Sequence, residues 1–248
     1  MTVTWITGAS SGIGRALALE LAGRGATIVA SARSQDRLDA LAAEAPPGRI
    51  HAVACDITDA PAIARTVAAI EDAHGPIGRA VLNAGTYAPD TADDFSYETF
   101  RQTIDVNLLG TAACVAALLP RWIDRKVGHL AIVSSVAGYR GLPRAISYGA
   151  SKSALNTLCE AMKFDFDRLG LKIQLINPGF VRTPLTDQND FKMPALMEVD
   201  DAARRIADGL DSARFEIAFP KRFVFWLQRL RGMPPALYFP IVRRMTKQ

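Results

Sequence analysis

Two patterns of hydrophobic and polar positions alternate along the chain. Short runs rich in apolar and β-branched residues, such as residues 3–7 and 50–54, predict buried strands. Longer segments with apolar positions on one side, such as residues 14–24 with Leu17 and Leu21, predict helices. The predicted strands are 3–7, 27–31, 50–54, 79–82, 130–134, 172–176 and 215–219, and the predicted helices are 14–24, 35–45, about 59–74, 97–123, 147–169 and 200–210.

This alternation of strands and helices indicates the fold class. Strands that are apolar on both faces are typical of a parallel sheet covered by helices on each side. We therefore predict an α/β protein with a three-layer Rossmann fold, a doubly wound parallel sheet of about seven strands, and a short helical C-terminal extension. Thr58 or Asp59 is expected to cap the third helix, with Pro61 in its first turn. Residues 1–220 form the main body and residues 221–248 the extension of the same domain.

Composition narrows the class of protein. The chain has 248 residues, of which 49% are hydrophobic, enough for one large core. Its three cysteines are far apart and its three histidines lack metal-ligand spacing, so we expect neither a disulfide framework nor a metal site. Met1 leads directly into the first predicted strand, and no apolar run reaches the ~18–20 residues of a membrane span. These features favour a cytoplasmic protein.

Charge is distributed unevenly between the body and the C-terminal end. Residues 213–248 hold eight Lys and Arg residues against Glu216 alone, a net charge of +7. The first 212 residues hold the other 21 bases and 24 acids, a net charge of −3. Pro234-Pro235 divides the basic segment into two short pieces that also carry many aromatic residues. The segment is therefore expected to be a helix pair packed on the body or on a partner subunit, or alternatively an amphipathic surface for membrane contact. No nucleic-acid-binding fold is evident, and nucleic acid is not an expected partner.

A glycine-rich turn, Thr7-Gly-Ala-Ser-Ser-Gly-Ile-Gly14, lies between the first predicted strand and the first predicted helix. Glycines in this position allow a tight turn and a close backbone approach, so that the amide groups of the helix start can contact a pyrophosphate. The spacing is GxxxGxG rather than the common GxGxxG. Asn83-Ala84-Gly85 ends the fourth strand, where small residues also let the backbone approach a cofactor.

Two residues at strand ends bear on which dinucleotide is bound. Arg33 follows the second strand, where an arginine suits the 2′-phosphate of NADP and an acid would suit the free hydroxyl of NAD. We therefore predict NADP rather than NAD. Asp56 follows the third strand and is expected to accept a hydrogen bond from the adenine amino group, or else to form a local turn.

Tyr148 and Lys152 are four residues apart in a predicted helix, so the phenol and the ammonium share one face. An ammonium near a phenol favours the phenolate and lowers the tyrosine pKa from ~10. The pair is thus a candidate proton donor and acceptor near neutral pH.

These motifs, taken in order, resemble the short-chain dehydrogenase/reductase family over roughly residues 3–219. The resemblance also rests on Asn107 within DVNLLGT, on Ser135 within VSSVAG thirteen residues before Tyr148, and on NPGFVRTP at residues 177–184. Leu82 stands where the family often has an asparagine that is mainly structural.

The resemblance implies a catalytic tetrad of Asn107, Ser135, Tyr148 and Lys152. In this scheme Tyr148 exchanges a proton with the substrate oxygen, Ser135 hydrogen-bonds that oxygen, and Lys152 lowers the tyrosine pKa and holds the nicotinamide ribose. Asn107, at a kink within its helix, orders a water that relays protons to Lys152. Ser134 competes with Ser135, but the spacing favours Ser135 and leaves Ser134 as a strand-end hydrogen bonder.

Cofactor contacts are assigned from the residue patterns and from the resemblance together. Val181 and Thr183 are expected to contact the nicotinamide carboxamide, and Pro178 and Gly179 to shape the turn before them. The expected set is Gly8, Ser10, Ser11, Gly12, Ile13, Gly14, Arg33, Asp56, Ile57, Asn83, Ala84, Gly85, Tyr148, Lys152, Pro178, Gly179, Val181 and Thr183.

Residues 185–199 are expected to form a lid over the substrate. Phe191, Met193, Leu196 and Met197 would give it an apolar ceiling, or would only anchor it to the body. Tyr139, Arg140 and Leu142 are expected on the opposite wall.

The predicted function is an NADP-dependent oxidoreductase that transfers a hydride between the nicotinamide and an apolar carbonyl or alcohol. The alternative is a catalytically silent NADP-binding regulator or scaffold on the same fold. The resemblance also implies a homodimer or homotetramer that pairs through the helices at 97–123 and 147–169.

Overall fold

The computed structural model describes residues 2–189, 191 and 193–246. Seven strands form a single sheet in the order β3-β2-β1-β4-β5-β6-β7, and every neighbouring pair is parallel. This order reverses direction at β1, as in a doubly wound fold. The strands are β1 (Val3–Thr7), β2 (Ile28–Ala32), β3 (Ile50–Ala54), β4 (Ile77–Leu82), β5 (His129–Val133), β6 (Lys172–Pro178) and β7 (Glu216–Phe219).

Helices cover both faces of the sheet. One hydrophobic cluster joins the first face to α1, α2 and α7, and a second joins the other face to α3, α5 and α6. The α/β fold and the seven strands predicted from the sequence are confirmed. The helices are α1 (Gly12–Gly23), α2 (Gln35–Glu44), α3 (Ala60–His74), α4 (Tyr97–Ile104), α5 (Gly110–Arg125), α6 (Ile146–Leu169), α7 (Val199–Leu210), α8 (Lys221–Arg231) and α9 (Pro235–Thr246).

Local sequence signals explain most element boundaries. Asp59 caps α3 by accepting a hydrogen bond from the amide of Ala62 at 2.9 Å. Thr58, the other predicted cap, instead bonds to the carboxylate of Asp56. Helix α1 begins at Gly12, two residues before the predicted start, because the glycine-rich turn itself enters the helix.

The predicted helix at 97–123 is interrupted by a π-helical turn. Helices α4 and α5 are joined through Asp105–Leu109, which has the wider π geometry. The joined helix Tyr97–Arg125 has 29 residues and a mean hydropathy of 1.5, so within the described chain it is the one helix long and apolar enough to cross a membrane. Its longest stretch without a charged residue, residues 106–120, has 15 residues, which is shorter than the ~18–20 of an apolar span. One such helix is weak evidence for a span, and here α5 packs on α3 and α4 packs on α6.

The extension forms the predicted helix pair, with α8 and α9 separated near Pro234. Val224 of α8 packs with Val136 and Tyr139, and Leu230 packs with Tyr238 and Val242 of α9. The prediction that the extension packs on the body is confirmed for one face of each helix. Lys247, counted among its bases, lies outside the described residues.

Candidate active site

The predicted site residues converge at the carboxyl edge of the sheet, because the ends of parallel strands meet there. Residues 8–14 follow β1, residues 83–85 follow β4, Ser135 follows β5 and residues 178–183 extend from β6. Tyr148 and Lys152 lie in the first two turns of α6. The structure thus brings together segments that are far apart in the sequence.

The glycine-rich turn has no room for side chains at two of its positions. Gly8 has φ of +66°, and a Cβ atom there would lie 2.6 Å from the Cα atom of Ala84. A Cβ atom at Gly14 would lie 2.4 Å from Nδ2 of Asn83. That amide donates to the carbonyl oxygens of Thr7 and Gly8, each at 3.2 Å. Asn83 therefore holds the turn in shape through its side chain.

The start of α1 fits an anionic group. No acidic residue occupies its first turn, and Ser11, at the cap position, makes no side-chain capping bond. The amides of this turn are therefore not satisfied by a local carboxylate. A Cβ atom at Gly12 would lie 3.3 Å from Cγ2 of Thr183, so the glycine-rich turn meets the segment after β6. The free amides and the closely packed backbone form a cradle that fits the phosphates of a dinucleotide.

The residues at the ends of β2 and β3 have different surroundings. Arg33 is exposed and, across residues 2–189, 191 and 193–246, forms no hydrogen bond or ion pair. Asp56 accepts bonds from the amide and hydroxyl of Thr58 at 2.9 and 2.8 Å, which confirms the turn-forming interpretation. Those bonds are the main cause of its lowered pKa, and the charge of Arg33 adds to it. The Ile57 side chain packs against Gly110 in the core.

Ser135, Tyr148 and Lys152 form one cluster. The Ser135 hydroxyl is close enough to the Tyr148 phenol to lower its pKa, and it accepts from the amide of Ala137 at 3.1 Å. The Lys152 ammonium is 5.5 Å from the centroid of the Tyr148 ring and donates to the carbonyl oxygen of Val133 at 2.9 Å. Ser134 is directed away from this cluster, and its hydroxyl donates to the carbonyl of Lys152 at 2.9 Å. The predicted choice of Ser135 over Ser134 is consistent with these contacts.

The expected lowering of the tyrosine pKa is wrong for this structure. Burial raises the pKa of Tyr148 to about 12, and the neighbouring Ser135 hydroxyl offsets only part of that rise. Burial also lowers the pKa of Lys152 to about 8, because an ammonium in a dry environment loses hydration. The desolvation of both groups therefore outweighs the lowering of the Tyr148 pKa that was expected from the nearby ammonium.

Asn107 is completely buried in the π-helical turn. Its side chain accepts from the amide of Thr86 at 2.7 Å and donates to the carbonyl of Thr86 at 3.0 Å. It also donates to the hydroxyl of Ser151 at 2.9 Å, which ties it to α6. Asn107 thus lies where the helix is interrupted by the π-helical turn, at the position of the predicted kink. A Cβ atom at Gly85 would lie 3.2 Å from Oδ1 of Asn107 and 3.6 Å from the Lys152 ammonium, so a glycine leaves space between them.

Sequence reasoning missed Asp90. This buried carboxylate accepts from the amides of Ile146 and Ser147 at 2.7 and 2.9 Å and from the Ser147 hydroxyl. It therefore caps α6 just before Tyr148, a role the local sequence does not fill because Ala145 has no side chain that can cap. The absence of a local capping residue indicated that another part of the chain must cap α6. It did not indicate which residue, because Asp90 is 57 positions away from Ser147. Tyr87 was also missed, and its ring contacts that of Tyr148 edge-on, with centroids 5.0 Å apart.

The lid is held over the same edge. Two backbone hydrogen bonds hold it there. The Met197 amide donates to the carbonyl of Phe180 at 3.0 Å, and the Arg182 amide donates to the carbonyl of Met197 at 2.9 Å. The rings of Phe180 and Phe191 are in contact, with centroids 5.8 Å apart. Met197 also packs on the core, which supports the anchoring interpretation for that residue. Asp190 and Lys192 of the lid lie outside the described residues.

The opposite wall predicted from Tyr139, Arg140 and Leu142 was wrong. Tyr139 is buried and its hydroxyl donates to Glu216, while Leu142 packs with the cluster of α8 and α9. Arg140 donates to the carbonyls of Leu230, Arg231 and Met233. These three side chains are occupied in docking the C-terminal extension, which a reading of the strand-to-helix connections alone could not reveal.

Comparison with known proteins agrees with this geometry. The sequence profile described as short chain dehydrogenase matches residues 2–193. An uncharacterized oxidoreductase of Myxococcus xanthus is 38% identical over 242 residues, which cover 97% of this chain and 96% of that protein. A 3beta-hydroxysteroid dehydrogenase of Mediterraneibacter gnavus is 36% identical over 187 residues, covering 74% of this chain and 67% of that protein.

A solved structure has the same architecture. The short-chain dehydrogenase from Sphingobium yanoikuyae in complex with NADPH superposes with a TM-score of 0.82 at 27% identity, covering 94% of this chain and 93% of that one. The profile match, the relatives and the fold agree over nearly the whole sequence. The chain therefore belongs to the short-chain dehydrogenase/reductase family and is an oxidoreductase acting on CH–OH or C=O groups.

Proposed function

We propose that this protein is an NADP-dependent oxidoreductase that interconverts an apolar alcohol and its carbonyl compound, with Tyr148 as the general acid and base. The observation that carries the proposal is the placement of Ser135, Tyr148 and the buried Lys152 ammonium in one cluster, at the edge of the sheet where the glycine-rich turn lies. A nucleotide-binding scaffold has no need for a buried, costly lysine next to a phenol.

The cofactor assignment rests on the cradle and on Arg33. The backbone at Gly8, Gly12 and Gly14 would hold the pyrophosphate, and the exposed Arg33 would pair with a 2′-phosphate. The NADPH complex of the Sphingobium relative supports this choice. When bound, the nicotinamide supplies or accepts the hydride, and its oxidised form adds a positive charge to the site. Val181 and Thr183 would contact the carboxamide, and Lys152 the ribose.

In the reductive direction, the residues of this chain supply the proton. Tyr148, with a pKa of about 12, stays protonated at neutral pH and donates its hydroxyl proton to the substrate oxygen. Ser135 donates a hydrogen bond to the same oxygen and stabilises its developing negative charge. Lys152, with a pKa of about 8, remains largely protonated and stabilises the phenolate that Tyr148 becomes. In the oxidative direction Tyr148 needs additional positive charge nearby before it can act as a base.

The path that returns the proton to Tyr148 is proposed to run through Lys152 and Asn107. The space beside Gly85, between Oδ1 of Asn107 and the Lys152 ammonium, would accommodate a water. Asn107 is held there by Thr86 and Ser151, so its oxygen has a fixed position.

The substrate is proposed to be apolar. Phe180 and Phe191 form an aromatic contact at the lid, and in the same segment Asn189 donates to the sulfur of Met193 at 3.4 Å. Aromatic and thioether groups suit an apolar ligand. The 3beta-hydroxysteroid dehydrogenase relative is named for a substrate of this kind.

We further propose that the enzyme is a cytoplasmic homodimer or homotetramer. Phe164 of α6 is 81% exposed, and Leu109, between α4 and α5, is exposed as well. Burying these side chains against a second copy would remove apolar surface from water.

The Tyr148→Phe variant tests the proposal. The substitution removes the proton donor and leaves the packing intact, so we expect kcat for a panel of ketones and alcohols to fall by about a thousandfold. NADPH affinity, measured by fluorescence titration, should be unchanged. Tyr97→Phe, at an exposed position of α4, is the matched control and should behave as wild type.

Three outcomes would contradict parts of the proposal. Equal turnover by Tyr148→Phe would refute the role of the tyrosine. Wild-type protein that binds NADPH but turns over no member of the panel would favour the silent regulator. NADH binding as tight as NADPH binding would remove the role given to Arg33.

A further inference from the structure

Helix α8 presents an exposed face that folding does not use. Arg222, Phe225, Trp226 and Arg229 are spaced at i, i+3, i+4 and i+7, which places them on one side of the helix. Phe225 is 49% and Trp226 65% exposed. Their rings touch, with centroids 5.6 Å apart, and the Arg229 guanidinium lies 5.1 Å from the Phe225 ring. The outward face is therefore an ordered strip of aromatic and cationic groups.

The other side of α8 carries the contacts with the body. Val224 and Leu230 are buried, and Phe223 and Leu227 are partly buried against the same clusters. Because these residues already attach the helix, stability gives no reason for the aromatic side chains on the outward face. Exposed aromatic groups of this size mark a surface that binds something.

Helix α9 repeats the combination. Tyr238 and Val242 are buried against Leu230, while Leu237, Phe239 and Met245 are largely exposed. Arg243 and Arg244 stand among the exposed residues. Two consecutive helices thus each pair one docked face with exposed apolar and basic side chains. We give the name outer face to nine exposed aromatic, aliphatic and arginine residues of α8 and α9: Arg222, Phe225, Trp226, Arg229, Leu237, Phe239, Arg243, Arg244 and Met245.

Charge decides which partner fits the outer face. Residues 221–248 contain seven bases and no acid, a net charge of +7. A second copy of the same face would bring like charges together, and an apolar protein partner would leave the bases without counterions. Single-stranded nucleic acid would suit the aromatic rings and the bases, but not the exposed aliphatic Leu237 and Met245. A lipid surface with anionic headgroups satisfies all three kinds of side chain.

We propose that α8 and α9 dock this enzyme on an anionic membrane surface. Trp226, Phe225 and Phe239 would enter the boundary between headgroups and acyl chains, and the arginines would remain at the level of the lipid phosphates. Each base near such a surface strengthens binding about fivefold. The helices lie on the surface and do not span it.

The docked helix is connected to the substrate lid. Phe223 of α8 contacts Phe180, with ring centroids 6.0 Å apart, and Phe180 contacts Phe191 of the lid. A Cβ atom at Gly179 would lie 3.2 Å from the Phe223 ring, so the helix presses on the turn before the lid. Given the proposed function, this arrangement places the lid near the lipid from which an apolar substrate would enter.

Flotation of the full-length protein with lipid vesicles tests the docking. We expect flotation with vesicles of equimolar phosphatidylcholine and phosphatidylglycerol, and much weaker flotation with phosphatidylcholine alone. Removing two charges in Arg222→Gln with Arg229→Gln should weaken binding to the anionic vesicles about thirtyfold. The control, Arg65→Gln with Arg168→Gln on exposed sites of α3 and α6, should bind like wild type. Phe225→Ser with Trp226→Ser should also lose binding.

Four results would overturn the proposal. The first is that the full-length protein remains in the dense fraction with anionic vesicles, and the second is that the outer-face variants float as wild type does. Binding of a single-stranded oligonucleotide that depends on Arg222 and Arg229, without flotation, would assign the outer face to nucleic acid. Self-association that is lost in Phe225→Ser with Trp226→Ser, without flotation, would assign it to a second copy. Flotation requires no turnover, so docking and hydride transfer can fail separately.

Discussion

The carboxyl edge of the sheet and the C-terminal extension use similar residues in opposite ways. At the edge, Tyr148 and Lys152 are enclosed, and the Lys152 ammonium donates to the carbonyl oxygen of Val133 at 2.9 Å. In the extension, Trp226 and Arg229 project into solvent on the outward side of α8. The edge depends on atoms held in fixed positions, whereas the outer face depends on which residue types reach the surface. Substitutions should therefore be far more disruptive at the edge.

The comparison extends to single arginines. Arg140 donates to three backbone carbonyls at the end of α8 and lies 3.9 Å from the centroid of the Tyr238 ring. Arg229, on the outward side of α8, lies over the neighbouring Phe225 ring, 5.1 Å from its centroid. The same side chain is a structural clamp where it is surrounded by carbonyls and a surface charge where it is not.

The largest effect is expected at the glycine-rich turn. Gly8→Ala would place a Cβ atom 2.6 Å from the Cα atom of Ala84 at a φ of +66°, so strain and overpacking should together destabilise the protein by about 3 kcal/mol or more. NADPH affinity should fall as well. Denaturant unfolding and cofactor titration measure the two effects.

Gly170→Ala separates conformational strain from crowding. Gly170 has φ of +70° but nothing within 4 Å of its Cβ position. Gly170→Ala should therefore destabilise the protein through backbone strain alone, by about 1 kcal/mol. If Gly8→Ala and Gly170→Ala lowered the free energy of unfolding equally, the close approach of Ala84 would not contribute. The carboxyl edge would then be no less tolerant of substitution than the surface.

A smaller effect is expected at Asp90, which acts as a positioning residue. Asp90→Asn replaces one carboxylate oxygen with an amide that cannot accept from the α6 amides, at a cost of about 2 kcal/mol. Because the start of α6 carries Tyr148, kcat should fall about tenfold. NADPH affinity should not change, since the hydrogen bonds of the Asp90 side chain go to Ile146 and Ser147, which are not among the expected cofactor residues.

Asp94→Asn is the matched control in the same loop. Asp94 accepts from the amide and hydroxyl of Thr91, in its own loop, at 2.6 and 2.7 Å. Its substitution should leave kcat at the wild-type value. A parallel loss of kcat and NADPH affinity in Asp90→Asn would indicate general disruption and argue against positioning.

The smallest effect is expected where the extension meets the body. Arg140→Gln removes the bonds to the carbonyls at the end of α8 and the contact with Tyr238, a local loss of about 1–2 kcal/mol. Hydrogen exchange in α8 and α9 should become faster while the unfolding midpoint of the body changes little. Arg204→Gln, which breaks an exposed pair with Asp201, is the control and should alter neither. Global destabilisation by Arg140→Gln would show that the extension is integral to the body.

Sequence patterns predicted the elements well because their signals are local. Apolar runs and helical periodicity placed all seven strands within two residues of their observed bounds, and Asp59 caps α3 as one of two predicted candidates. The motifs with family spacing were found for the same reason. Asp90 was missed because its partners are 57 residues away, and the wall assigned to Tyr139 was wrong because the docking of α8 is a tertiary event.

The sequence by itself determined the order of strands and helices, the glycine-rich turn, the spacing of Ser135, Tyr148 and Lys152, and the basic C-terminal segment. Each depends on residues close together in the chain, where periodicity and backbone sterics act directly. Only the tertiary structure decided how strongly Tyr148 is desolvated, which carboxylate caps its helix, and which side of α8 remains exposed. Those properties depend on burial, and burial is set by segments that meet only when the chain has folded.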